Sequence, residues 1–268
     1  MTQSITIASG KGGVGKTCIA VNLSIKLAQL GRKVSLLDAD FGLANSHILM
    51  GCNARKTLSD VVAGRDKIED VIEKTSSGVQ LLAGGSGLLD MLNLDNKARY
   101  QLIRNVDVLR ESTEVLIVDA PAGASDSAIT FAAAADRVLV VIVGEPTSFM
   151  DGYSFIKAAH VETGLNKFSI AVNMARDAAE AKRHFEKFQA IALRFLDVEL
   201  TFVGHVPFSN ALRRSVVTRK PLLATRAEGH RLEDEAFAVI SRNLLAAPAN
   251  RGNGLRFFDA NSLKEEGQ

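Results

Sequence analysis

Gly10-Lys11-Gly12-Gly13-Val14-Gly15-Lys16-Thr17 decides the reading of this chain. The frame Gly-x4-Gly-Lys-Thr follows a short β-branched stretch, Ile5-Thr6-Ile7, and opens an apolar-periodic helix, the context in which such a loop binds phosphate. Its glycines let successive backbone N–H groups turn inward around phosphate oxygens, and the helix N-terminus behind them adds a favourable dipole. Lys16 is placed to reach the β- and γ-phosphates of a nucleotide, and the Thr17 hydroxyl to ligate Mg²⁺. Lys11 is an additional cation that an ordinary phosphate loop does not need.

Outward from this loop, apolar strand-like runs alternate with helical patterns, which predicts an α/β fold with a doubly wound, mostly parallel twisted sheet flanked by helices on both faces. The expected strands are Ser4–Ala8, Lys33–Leu37, Val79–Ala83, Val115–Asp119, Arg137–Val143, Phe168–Val172 and Thr201–Val206. The first helix carries Ile19, Leu23, Leu27 and Leu30 on one face and stops at Gly31, a natural C-terminal cap. Residues 1–247 read as one domain; from Pro248 the glycine- and asparagine-rich composition reads as a linker leading to a short tail ending at Gln268.

Composition narrows the function classes. The chain is 47% hydrophobic, yet its longest apolar strand-like run, Val138–Val143, has the length of a buried strand and not of a membrane span. The first strand begins almost at Met1, without the pattern of a signal peptide, and a cytoplasmic location is expected. Cys18 and Cys52 form neither a metal-spaced set nor a disulfide framework. A formal net charge of +2 makes no argument for nucleic acid. The five histidines share no recurring spacing, so neither a protease nor a redox site is indicated.

Two further segments carry acids where a nucleotide would need them. Leu37-Asp38-Ala39-Asp40 ends the second strand, and strand ends in this architecture face the ligand. Asp at a strand end also starts turns and caps helices, so that reading stands beside the functional one. Val115-Leu116-Ile117-Val118-Asp119 is an apolar strand closed by an acid, the Walker B arrangement, with Asp119 placed to hold Mg²⁺ through a coordinated water. No Asn-Lys-x-Asp guanine-reading motif occurs, which favours ATP over GTP.

The loop resembles the deviant Walker A box, Lys-Gly-Gly-x-Gly-Lys-Thr, of the MinD/ParA family of ATPases. The resemblance implies that Lys11 crosses a homodimer interface and touches the partner's nucleotide, acting like an arginine finger given in trans. It implies that Asp38 supports the Mg²⁺ and water network, that Asp40 orients the attacking water, and that Asn45 holds the switch at the dimer contact. Pro121-Ala122-Gly123 resembles the second switch, with the Gly123 N–H offered to the γ-phosphate. Asn173 and Pro207 match positions where relatives cradle adenine. Relatives usually carry an acid two residues after that proline, where this chain has Ser209. Cys18 stands where a hydroxyl or amide residue is frequent, which removes one α-phosphate contact. The residue matching Asp151 lies on a helix that docks a regulatory partner, and Tyr153 is grouped with it; a solvated polar helix face is the alternative. An iron-protein reading of the same loop needs cluster-binding cysteines that this chain lacks.

Within the family the wording is most similar to the FlhG (FleN) group, MinD-like ATPases that limit flagellar number and placement. Asp38–Asn45, Thr57-Leu58-Ser59-Asp60-Val61-Val62, Glu145-Pro146-Thr147-Ser148, Arg194–Val198 and Phe257-Phe258 carry that resemblance. It implies slow, Mg²⁺-dependent hydrolysis of ATP to ADP and phosphate, stimulated by a protein partner such as a flagellar GTPase or regulator. Many FlhG proteins stimulate a GTPase through an N-terminal extension, which the early first strand leaves no room for. Relatives end in an amphipathic helix that binds membrane in the ATP dimer; here Leu255–Glu266 has few apolar residues and an acidic end, a weak signal for the inner membrane face. Three alternatives stay open. One is a MinD-type division-site regulator. Another is a ParA-type DNA-segregation ATPase using Arg213, Arg214, Arg219 and Lys220 with Lys182 and Arg183. The third is a nucleotide-gated scaffold that hardly turns ATP over.

Overall fold

Strands that are apolar on both faces cannot sit at a water-exposed surface, and here they assemble at the centre of the molecule. The structure, a computed structural model, describes residues 2–41, 44–85, 95–224, 230–250 and 254–259. Eight strands form one sheet: β1 (Gln3–Ala8), β2 (Val34–Asp38), β3 (Ile72–Lys74), β4 (Gln80–Leu82), β5 (Val115–Asp119), β6 (Arg137–Val143), β7 (Lys167–Ala175) and β8 (Glu199–Pro207). Their order is β3-β4-β2-β5-β1-β6-β7-β8. Every described pairing is parallel except β3 with β4. The mostly parallel, doubly wound sheet expected from the sequence is what forms.

Alternation along each strand sorts the core into layers. On β6, Leu139, Val141 and Val143 join Ile5, Ile7, Val115 and Ile117 against α1 (Lys16–Gln29) and α9 (Arg231–Ala246). Val138, Val140 and Ile142 face the other way, against α6 (Pro146–Thr163) and α7 (Ala178–Leu193). On that second face, α4 (Asn96–Asn105) and α5 (Asp126–Ala134) cover Leu116 and Val118. The remaining described helices are the short α2 (Ser46–Leu49), α3 (Leu58–Val62) and α8 (Asn210–Thr218).

Several local expectations shift. Helix α1 does end at Gly31: the Gly31 N–H donates to Ala28 O and the Arg32 N–H to Leu27 O, with Gly31 at φ 85°, a Schellman cap. Ile19, Leu23 and Leu27 are buried, but Leu30 is the C-cap and half exposed, because the last turn has rotated away from the sheet. Strand β3 was not expected: three residues, two of them charged, give no apolar run, and it exists as an antiparallel edge on β4. Strand β7 runs three residues beyond the expected Val172, through an irregularity at Met174, which adopts φ 58°.

The described residues beyond Pro248 close onto the body. The Asn250 N–H donates to Asp136 O at 2.8 Å, and its side-chain amide bonds Lys167 in both directions. Phe257 and Phe258 are buried; Phe257 stacks on Phe131 of α5 at 6.5 Å between ring centroids, and Phe131 packs against Phe41. Of the segment expected as a linker and tail, Asn250 and Phe257–Phe258 therefore pack against the body.

Candidate nucleotide site

Parallel strands deliver their C-terminal ends to one rim, and the expected site residues converge there because β1, β2 and β5 are neighbours. The register pairs Asp38 directly with Asp119, and Asp119 with Ile7, just before the phosphate loop. Lys16, at the first turn of α1, places Nζ 2.5 Å from Asp119 Oδ1, with the two side chains only 6% and 1% exposed. Asp38 Oδ2 accepts the Ser46 N–H at 2.9 Å and Asp38 Oδ1 the Asp40 N–H at 3.2 Å. The Ser46 hydroxyl lies 3.5 Å from Asp119 Oδ2.

Burial, and then the nearby Asp119 carboxylate, push the Asp38 carboxyl up to about 7, against the opposing pull of the two backbone N–H groups and Lys16. Two buried carboxylates beside one ammonium have a deficit of positive charge that a hard divalent cation fills. Among the described residues no three His, Cys, Asp or Glu form a metal cage. Mg²⁺ does not require one, because it binds through one or two carboxylates and the phosphates of its nucleotide. Asp38 and Asp119 fit it in that sense, and Thr17, expected beside them, lies in the first turn of α1.

The same balance sets a pH dependence. An acid whose folded value is raised favours the protonated fold, so its stabilising contribution is full below about pH 4, falls as pH rises towards about 7, and is then lost. Mg²⁺ with ADP should therefore raise the melting temperature more at pH 8 than at pH 6. Scanning fluorimetry at the two pH values checks this; an equal or smaller rise at pH 8 contradicts the buried-carboxylate account.

The loop is held by contacts that demand its glycines. Gly13 and Gly15 adopt φ 82° and 87°, open to glycine at no steric cost. A Cβ on Gly10 would fall within 2.0–2.4 Å of the Asp151–Gly152 backbone, so α6, the helix expected to dock a partner, lies directly on the phosphate loop. Asp151 and Tyr153 are both partly exposed on it. Gly12 is exposed and Val14 buried. Gly123, at φ 85°, donates its N–H to Ser9 O at 2.8 Å, so the group expected at the γ-phosphate is here spent on the loop that precedes it. Pro121 is half-buried beside it. Asp40 is half-buried directly after β2, and Asn45 is exposed at the start of α2; Gly42 and Leu43 of this switch lie outside the described residues.

Lys11 is tied to α6. Its Nζ lies 3.2 Å from Glu145 Oε2 and 3.0 Å from Thr147 Oγ1, at the N-terminus of α6. Sequence reading had used Glu145 and Thr147 only as markers of the subfamily; a separation of more than 130 residues hides the contact.

A cavity of about 430 Å³ lies beside the loop, lined by Cys18, Asn173, Met174, Pro207 and Val216 among others. It joins the residues expected around adenine. Asn173 does more than was expected: its Nδ2 donates to Val14 O at 2.7 Å and its Oδ1 accepts the Met174 N–H at 2.9 Å. The amide braces the phosphate loop and keeps one N–H and one lone pair for a base. Burial pushes the Cys18 thiol up to about 11, eased by its contact with Asn22, so it is a neutral lining group. Ser209 caps α8, accepting from the Ala211 and Leu212 N–H groups, and its hydroxyl donates to the buried Glu233. A carboxylate thus stands one contact behind the position where relatives carry an acid.

Lys182 and Arg183 do not join the basic run of α8. They lie on α7, which packs on the second face, whereas Leu212 of α8 packs with the α1 and α9 layer. The two basic groups thus belong to helices on opposite faces of the sheet.

Comparison with known proteins agrees with this geometry. The family described as "ParA: NUBPL iron-transfer P-loop NTPase" matches residues 1–245. The antiactivator FleN of Pseudomonas aeruginosa is 38% identical over 96% of this chain and 91% of its own length. The flagellum site-determining protein YlxH of Helicobacter pylori is 29% identical over 82% of this chain and 75% of its own. Among solved structures, the septum site-determining protein MinD of Pyrococcus horikoshii, complexed with Mg-ADP, has a TM-score of 0.75 and 26% identity over 92% of this chain and 98% of its own. A chain of the MinC:MinD cell division protein complex of Aquifex aeolicus gives 0.75 and 25%, covering 94% of this chain and 100% of that one. The family match over residues 1–245 and the identity with FleN over nearly the whole chain, on a fold that buries Lys16 against Asp119 behind the glycine loop, show that the chain belongs to the ParA/MinD family of P-loop NTPases.

Proposed function

We propose that this chain is an ATP-dependent dimerisation switch that regulates the number or placement of flagella and hydrolyses ATP to ADP and phosphate. The observation that carries the reading is Lys11, a second loop lysine whose ammonium is bound to Glu145 and Thr147 at the N-terminus of α6. In this reading Lys11 exchanges Glu145 for the nucleotide of another subunit when the dimer forms. Similarity to FleN across nearly the whole chain, and to YlxH, supports the flagellar assignment.

Each residue has a defined task. Backbone N–H groups of Gly12 to Lys16 neutralise the phosphates, and Lys16 leaves Asp119 to reach them. Thr17 and the Asp38–Asp119 pair would hold Mg²⁺, which would supply positive charge against the phosphates. Asp40 orients the attacking water. Lys11 of each subunit answers charge developing on its partner's nucleotide, and Asn45 and the Pro121–Gly123 segment report whether the γ-phosphate is present. A protein partner on the Asp151–Tyr153 face acts through α6, whose backbone rests on Gly10. The chain works in the cytoplasm, at the inner face of the membrane; among the described residues no helix is long and apolar enough to cross it.

Light scattering tests the switch. With ADP the protein is expected to be monomeric and with Mg²⁺-ATP dimeric. Lys11→Ala should impair dimerisation at least tenfold, because each dimer loses two charge-assisted contacts, while changing monomer affinity for ATP little. A mass independent of nucleotide rejects the switch and leaves a nucleotide-binding scaffold.

A further inference from the structure

We propose that Phe131 and Phe257 are positioning residues for ATP hydrolysis, joined to Phe41 in a column of three rings that sets the Asp40 carboxylate. Phe41 follows Asp40 in the turn after β2, yet it is only 5% exposed, whereas residues of such a turn ordinarily face water. Its ring packs against Phe131 of α5, with centroids 6.4 Å apart and planes at 49°. Phe131 in turn stacks on Phe257, at 6.5 Å and 9°. Both separations lie in the range where aromatic pairs attract. The three rings share one buried cluster with Leu37 and Val118, the residues just before Asp38 and Asp119.

Each member of the column is fixed by polar contacts of its own segment. The Asp40 N–H donates to Asp38 Oδ1, so with Phe41 seated the Asp40 backbone is held from both sides. The Phe131 carbonyl accepts the Thr6 hydroxyl at 2.8 Å, on β1, the strand that leads into the phosphate loop. The Phe257 N–H donates to Ala134 O at 2.9 Å, and Arg256 donates to Asp136 Oδ1 at 2.8 Å. The other Asp136 oxygen takes the Ser4 N–H and hydroxyl of β1, at 2.8 and 2.9 Å. Phe258 adopts φ 57°, a left-handed conformation uncommon for a bulky residue, and its ring lies against the Arg110 guanidinium. Strain of this kind persists where surrounding packing enforces it, and here both Phe257 and Phe258 are buried. A segment far along the chain from Asp40 is thus built into the support of the first switch. Alanine at 257 would leave space beside Phe131 into which the rings relax, and Phe41 would carry Asp40 with them. The groups that bind phosphate are spared, because α1 and Val14 of the loop pack in the layer on the opposite face of the sheet.

The inference rests on the reading that Asp40 orients the attacking water, so the test combines the two. Single-turnover hydrolysis of Mg²⁺-ATP is measured for the full chain as wild type, Phe257→Ala, Phe257→Leu, Phe258→Ala, Asp40→Ala and Asp40→Ala with Phe257→Ala. Binding of a fluorescent ATP analogue and the melting temperature are read alongside. Phe257→Ala should slow hydrolysis about tenfold or more, since a displacement of about 1 Å at a reacting group can cost up to about 100-fold, with affinity changed less than about twofold. Phe257→Leu, which keeps most of the volume, should fall between Phe257→Ala and the wild type. Phe258→Ala opens comparable space in the same cluster but outside the column. It should lower the melting temperature as Phe257→Ala does, yet hydrolyse within about twofold of the wild type. On the Asp40→Ala background Phe257→Ala should add nothing, because the group it positions is gone. The proposal is overturned if no folded variant at 257 hydrolyses more slowly than the wild type, or if Phe258→Ala slows the reaction as much as Phe257→Ala. It is also overturned if Phe257→Ala slows the Asp40→Ala protein by the same factor as the wild type. Hydrolysis by Asp40→Ala at the wild-type rate rejects instead the role of Asp40 itself, and the proposal falls with it.

Discussion

Lys16→Ala should lose ATP binding by at least about 100-fold and should also destabilise the empty protein. The binding loss follows from removing an ammonium that makes several charge-assisted hydrogen bonds to phosphate, each contributing about 1.5–3 kcal/mol. The stability loss follows from the apo arrangement. Lys16 Nζ is the cation within 2.5 Å of Asp119, both are almost fully buried, and Asp38 adds a second carboxylate beside them. Removing one partner of a buried pair typically costs about 3–5 kcal/mol, because the remaining charge has nowhere to be solvated. In a domain of this size that is a fall in melting temperature on the order of 10 °C. Protonation of Asp38, whose carboxyl is pushed up to about 7, relieves part of the penalty, so the deficit should be large at pH 8 and shrink towards pH 6. Calorimetry of wild type and variant at both pH values reads it. A variant that melts with the wild type at pH 8 would mean that water already reaches the carboxylates, and the charge-deficit argument for Mg²⁺ would fall with it.

Most of the rim was legible from sequence because its parts are local. A glycine loop between a strand and a helix, an apolar run closed by Asp119, and a proline ending β8 are read within about ten residues, and parallel topology then brings them to one edge. What escaped is long-range pairing. Lys11 with Glu145, Asn173 with Val14 and Ser209 with Glu233 are each set by which strands and helices become neighbours, and no spacing encodes them. Asn173 is instructive. The sequence marks it as a base-reading amide, whereas the fold first uses that amide to hold a loop carbonyl. The basic residues show the reverse error: Lys182 and Arg183 look continuous with the α8 run by charge alone, yet the sheet stands between them. Charge has no periodicity that reports which face it lands on.

Asp40→Ala should leave ATP bound and the dimer trapped, with hydrolysis reduced by roughly 100-fold or more, the usual scale for a lost water-positioning carboxylate. The reasoning depends on what the substitution spares. The contact Asp40 makes with Asp38 comes from its backbone N–H, which alanine retains, so the Asp38 carboxylate keeps its support. Lys16, Asp119 and the loop N–H groups are untouched, and these are the groups that bind phosphate. Lys11 is also untouched, so association in trans remains available. Binding free energy is thus preserved while the step that ends the bound state is slowed, and the ATP dimer must accumulate. Light scattering with Mg²⁺-ATP reads the outcome directly, and adding Lys11→Ala to the same chain should return it to monomer. A single Asp40→Ala variant that stays monomeric at saturating ATP would separate dimerisation from nucleotide retention. A double variant that remains dimeric would show that the loop lysine does not hold the subunits together.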